Sequence, residues 1–221
     1  MRSATFGRHV REVGIGHLAL TGDLTVPNGA GALIVFAHGS GSSRMSPRNR
    51  AVARAFNEHG IATLLFDLLE PAEERDRANV FDIPLLAGRL IEAVHWIDQQ
   101  PELANVNVGL FGASTGAAAA LVSAAELGDR IGAVVSRGGR PDLAAAALDR
   151  VTSPTLLIVG GFDDAVIELN KQAFAQLHCQ KAIEFVPGAT HLFPEPGALE
   201  RVIELARDWF VRHLKPTRAM D

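Results

Sequence analysis

Six short apolar runs follow one another through the chain with hardly any polar alternation: ALIVFAHG (32–39), IATLLFD (61–67), VNVGLFG (106–112), IGAVVS (131–136), PTLLIVGG (154–161) and AIEFVPG (182–188). Runs of this kind read as strands buried on both faces, the condition of a parallel sheet covered by helices. Between them lie segments with helical apolar spacing, at 46–60, 82–100, 115–128, 170–177 and 196–214. In the last of these Leu199, Val202, Ile203, Ala206, Trp209, Phe210 and Leu214 share one face, which predicts a helix docked on the core. Residues 10–15 and 17–26 instead alternate apolar with polar around Gly14 and Gly16, the pattern of a half-buried antiparallel hairpin. The whole predicts an α/β fold: a mostly parallel sheet of about eight strands, an N-terminal antiparallel hairpin and helices on both faces.

A length of 221 residues suffices for one sizeable core and is short for two, so residues 1–221 are expected to form a single domain. The formal net charge of −4 supplies no basic field, so neither nucleic acid nor an anionic membrane is an expected partner. Cys179 is the only cysteine, which excludes an internal disulfide framework and a multi-cysteine zinc site. The first twenty residues hold no continuous apolar segment of the signal-peptide kind, and no run is long enough to span a bilayer. A cytoplasmic protein, monomeric or homodimeric, is expected. The histidines at 9, 17, 59, 95, 178 and 213 show neither H-x-H nor H-E-x-x-H spacing, so no metal and no cofactor is expected. The charged stretch EPAEERDRAN (70–79) reads as solvated surface.

In a doubly wound sheet, ligands sit in the crevice at the carboxyl ends of the strands, so the residues at the strand stops carry the functional signal. The run ending at Gly112 continues GASTG, a G-x-S-x-G pattern between a strand and a helix, which places Ser114 in a sharp turn with its hydroxyl exposed. A serine hydroxyl needs a base and a group to orient that base. The run 154–161 stops at Asp163 and Asp164, and the loop after 182–188 presents His191, so the chain order is serine, acid, histidine. Asp163, directly after the Gly-Gly-Phe stop, is favoured over Asp164, which reads as a turn residue or helix cap. The glycines of FAHGSGSS (36–43) let backbone N–H groups turn inward, and the oxyanion hole is assigned to the N–H groups of Ser40 and Thr115.

These motifs together, H-G-x-G after the first buried run, G-x-S-x-G, G-G-x-D and G-x-x-H, resemble the α/β-hydrolase superfamily over roughly residues 9–214. The small lidless form is similar to dienelactone hydrolase-like proteins. The resemblance implies an α/β-hydrolase fold without a lid domain and a Ser–His–Asp hydrolase of a small ester or lactone. Ser114, Asp163 and His191 fall on its catalytic positions. Dienelactone hydrolases proper carry a cysteine nucleophile where this chain has serine, so plain ester hydrolysis is the expected reaction, with lactone or thioester hydrolysis as alternatives.

Two further residues bear on substrate. Arg137 follows the run 131–136 and is expected near the crevice mouth, either clamping a substrate carboxylate or phosphate or pairing with a loop acid. His38 is placed near the substrate, its ring holding the loop by hydrogen bonds. Arg44, Arg48 and Arg50 read as solvated helix-face residues. A dinucleotide site is disfavoured, since Arg44 stands where the third glycine of G-x-G-x-x-G belongs, and no G-K-[ST] occurs. A hydrolase-like module that binds a partner without catalysis is the remaining rival.

Overall fold

The computed structural model describes residues 10–214; the sequence readings of residues 1–9, His9 among them, lie outside the described residues. Eight strands form one sheet: β1 (Val10–Ile15), β2 (Leu20–Thr25), β3 (Ala32–Ala37), β4 (Ala62–Phe66), β5 (Asn107–Ala113), β6 (Ile131–Arg137), β7 (Thr155–Gly160) and β8 (Lys181–Val186). Their spatial order is β1-β2-β4-β3-β5-β6-β7-β8. β1 and β2 form the expected hairpin, and β2 joins β4 antiparallel through Gly22 to Thr25. All remaining pairs are parallel.

β3 lies between β4 and β5, so the chain winds outward on one side of β3 and then returns to its other side. Such a reversal opens a crevice at the carboxyl ends of the two central strands. The residues leaving β3 and β5 are His38 and Ser114.

Helices α1 (Pro47–Glu58) and α6 (Ala198–His213) cover one face. There Phe36, Phe56, Phe111 and Phe210 interlock, with Phe56 edge-on to Phe210 at 5.7 Å between ring centroids. α3 (Ile83–Asp98), α4 (Thr115–Leu127) and α5 (Asp164–Gln176) cover the other, over Leu33, Val35, Leu64, Leu110 and Val134. Helix starts follow their caps. Ser46 Oγ accepts from the Asn49 N–H at 3.3 Å ahead of Pro47, and Asp82 Oδ1 accepts from the Leu85 N–H at 2.9 Å.

Two expectations are corrected. β8 is an edge strand with only Val186 buried, because nothing pairs beyond it; its apolar composition read as fully buried. α5 begins at Asp164 rather than at residue 170. The charged stretch 70–79 is largely exposed, as expected; within it lie a 3-10 turn and the start of α2 (Arg77–Phe81), and the half-buried Glu73 accepts from the buried Arg89 at 2.8 Å.

Replacing Phe56 by alanine removes the ring that joins α1 to three other aromatic rings, Phe36, Phe111 and Phe210. The expected loss is about 3–5 kcal/mol of unfolding free energy, read as a lower urea midpoint with an unchanged slope.

Candidate active site

The turn from β5 into α4 is tight because glycine leaves no side chain in the way. A Cβ on Gly116 would drive into the carbonyl oxygens of Ala37 and His38, so the first turn of α4 sits directly against the end of β3. Ser114 is left at φ 51°, ψ −121°, a conformation that a residue with a side chain adopts only under constraint. Its backbone is tied on both sides: the N–H donates to the Arg137 carbonyl at 3.3 Å, and its carbonyl accepts from the Ala117 N–H at 3.1 Å. The side chain faces a cleft of about 570 Å³ whose wall also includes His191, Arg137, Arg48 and Asn49.

Asp163 stands at the N-cap position of α5, yet its carboxylate makes no capping bond. Instead, His191 Nδ1–H donates to Asp163 Oδ2 at 2.7 Å. A carboxylate only accepts, which leaves Nε2 unprotonated in the neutral ring. The loop carrying His191 is held close to β7, because Gly160 has no Cβ to push away the carbonyls of Ala189 and Thr190. Thr190 Oγ1 donates to Glu195 Oε1 at 2.6 Å and fixes the other flank of that loop. Among the described residues neither Ser114 Oγ nor His191 Nε2 is hydrogen-bonded, so both present free polar atoms to the one cleft.

The N–H of Ser40 donates to Thr115 Oγ1 at 3.0 Å, so one of the two expected oxyanion donors already has an acceptor, and that acceptor is the side chain of the other donor's residue. Thr115 opens α4, and its N–H belongs to the first turn, whose donors have no intrahelical acceptor.

His38 lines a neighbouring cavity of about 330 Å³, with Ser40, Thr115, Leu68, Leu69 and Leu86. The Leu68 N–H donates to its Nε2 at 3.1 Å, so Nδ1 carries the proton and donates to the Gly39 carbonyl at 3.1 Å. The ring therefore spends both nitrogens on the backbone, as a brace between two loops. Burial, outweighing the Gly39 carbonyl and the charges of Asp67 and Glu74, pushes it below its ordinary value of 6.5.

Arg137 is not at the crevice mouth. It is buried in the cleft wall, 6% exposed, and Nη2 donates to Asn49 Oδ1 at 3.3 Å. The loop acid expected as its structural partner is not there: among the described residues Arg137 makes no ion pair. Burial, together with the nearby charge of Arg48, pulls its pKa down to about 10, so it remains a cation at neutral pH. The neighbouring arginines also depart from the solvated reading. Arg44 pairs with Asp67, Arg50 donates to Asp23 Oδ2 at 2.9 Å, and Arg48 lines the cleft. Asn49 is a lining residue that the sequence reading does not single out, although its place, like that of Arg48, in the first turn after the glycine-serine loop points to the same crevice.

Comparison with known proteins agrees with the fold. The family model described as "Dienelactone hydrolase family" matches residues 31–212. A crystal structure of a dienelactone hydrolase from Anabaena variabilis is 51% identical, superposes with a TM-score of 0.90, and covers 94% of this chain and 98% of its own. Est1E from Butyrivibrio proteoclasticus, at 17% identity and a TM-score of 0.78 over 92% of this chain and 98% of its own, shares the α/β-hydrolase fold. Two Mycobacterium tuberculosis proteins named "Putative phosphoribosyl transferase" are 58% identical over 203 residues, 92% of this chain but 46% of theirs. The chain thus spans less than half the length of these relatives, whose name describes the longer proteins.

The His38 brace has a pH signature. Folded His38 takes up a proton less readily than the unfolded ring, whose ordinary value is 6.5, so its contribution to stability is complete above that pH and declines as pH falls below it. The decline is at most about 1.4 kcal/mol per pH unit. Urea unfolding between roughly pH 7.5 and 5.5 is expected to show this slope in the wild type and a shallower one in His38→Gln.

Proposed function

The chain belongs to the dienelactone hydrolase family, and from that premise we propose that it is a serine hydrolase of small esters, with Ser114 as nucleophile, His191 as base and Asp163 as the group orienting the base. The observation that carries this reading is the 2.7 Å bond from His191 to Asp163 beside a serine held at positive φ on the same cleft. A structural role alone gives no reason to divert an N-cap carboxylate from its helix to a loop histidine.

In the proposed reaction His191 Nε2 takes the Ser114 proton as Oγ adds to the ester carbonyl. Asp163 holds the ring in the tautomer that leaves Nε2 free and stabilises the imidazolium that forms. The oxyanion is received by the N–H groups of Thr115 and Ser40, the latter exchanging its bond to Thr115 Oγ1 for one to the developing charge. The histidine then gives its proton to the leaving alcohol, and water, deprotonated by the same nitrogen, releases the acid. The short segment 141–150 between β6 and β7 carries no lid, which suits compact substrates. A lactone or thioester passes through the same steps, and the serine nucleophile favours the ester among them. No feature of the cleft favours a purely partner-binding module. His38 is left out of the substrate-binding set.

With a p-nitrophenyl acetate assay, Ser114→Ala is expected to lower kcat by a factor on the order of 10⁶. Asp163→Asn is expected to lower it by a factor on the order of 10⁴, by favouring the wrong tautomer. A fluorophosphonate probe is expected to label the wild type and not Ser114→Ala. Hydrolysis that persists in both variants at the wild-type rate overturns the assignment.

A further inference from the structure

Two arginines face the cleft without an acid to answer them. Arg137 is 6% exposed, and its Nε has no hydrogen-bond partner. Arg48 is half-buried, and its Nε is likewise unpartnered. Neither makes an ion pair among the described residues, whereas Arg44, Arg50 and Arg140 each do. No Asp or Glu is among the described residues that line the cleft. The two guanidinium groups are near enough for the charge of Arg48 to act on Arg137. Like charges held together without an acid are costly in a buried wall, and an anion entering the cleft they line removes that cost.

A third source of positive potential meets them there. Ser46, Pro47, Arg48 and Asn49, which open α1, line the same cleft, so that helix directs its N-terminal end into it. The site also adjoins the proposed nucleophile: Arg137 pairs with Ala113 across the β5–β6 ladder, one residue before Ser114.

We infer that Arg137, Arg48 and the first turn of α1 form a subsite for a doubly charged oxyanion on the substrate, a phosphate monoester being the group of matching charge and acceptor count. A single carboxylate would answer one guanidinium and leave the other as it stands. A phosphate offers close to two charges and three acceptor oxygens to two arginines and a helix end. That the anion belongs to an ester substrate rests on the reading of Ser114 as nucleophile; that the subsite takes the anion does not.

The test separates the two. The full chain carrying Ser114→Ala, which cannot acylate, is titrated calorimetrically with inorganic phosphate and, separately, with acetate at about pH 8, where phosphate is largely doubly charged. Phosphate is expected to bind at least about tenfold more tightly than acetate. Adding Arg48→Gln, or separately Arg137→Lys, is expected to weaken phosphate by about tenfold or more. In the wild type, phosphate is expected to raise KM for p-nitrophenyl acetate and leave kcat unchanged. The inference is overturned if phosphate does not bind, if acetate binds as tightly, if both variants bind phosphate as the parent does, or if inhibition is not competitive. Should Arg137→Lys fail to fold, judged by circular dichroism, the half-exposed Arg48→Gln decides alone. Phosphate binding without ester hydrolysis removes the proposed reaction and keeps the subsite; hydrolysis without phosphate binding does the reverse.

Discussion

The first turn of α4 rests against the end of β3 with only hydrogen at Gly116 between them, and the rest of the site depends on that contact. The close approach leaves the chain one residue in which to turn from strand to helix, and Ser114 absorbs the turn at φ 51°. Strain stored at one residue persists because two well-packed elements over-determine it. The same contact carries the start of α4, with its unpaired donors, up to the glycine-serine loop leaving β3, where the Ser40 N–H meets Thr115 Oγ1. Ser114, the proposed nucleophile, the glycine-serine loop and the N-terminus of α4 are thus brought together by backbone geometry, before any side-chain chemistry.

Charge is handled in two opposite ways around the cleft. The Asp163 carboxylate, 15% exposed, is answered by a hydrogen bond from His191, whose ring is 37% exposed. On the facing wall Arg137 and Arg48 are left uncompensated. A short distance away the Asp23, Asp67, Arg44 and Arg50 cluster shows what the fold does with arginines it uses for structure: it surrounds them with acids. The contrast between these two groups of arginines, more than the burial of either, marks the cleft wall as a place prepared for something negative.

Much of this was legible in the sequence because the relevant signals are local. Unalternating apolar runs gave the strands, and glycine spacing gave the elbow at Ser114. The stop after β7 pointed to Asp163, and the loop after β8 to His191, because a strand end is a local event whose side chain must face the crevice. What was missed depends on neighbours distant in sequence. β8 reads as buried from its own residues, but whether a strand has a partner on its outer side is a property of the sheet. Glu73 reads as solvated until Arg89, sixteen positions on, is seen beneath it.

By itself, then, the sequence determined the α/β architecture, the hairpin that leads into it, and which side chains lie at strand ends, since periodicity and turn chemistry act over a few residues at a time. Only the tertiary structure decided where those ends go: that His191 reaches Asp163 while His38 turns to the backbone of Leu68, and that Arg137 finds an asparagine and a second arginine instead of an acid. The physical reason is range. Backbone preference is set by adjacent residues, whereas the state of a charge or a donor is set by whatever the fold brings within a few ångströms of it, and no local pattern encodes that company.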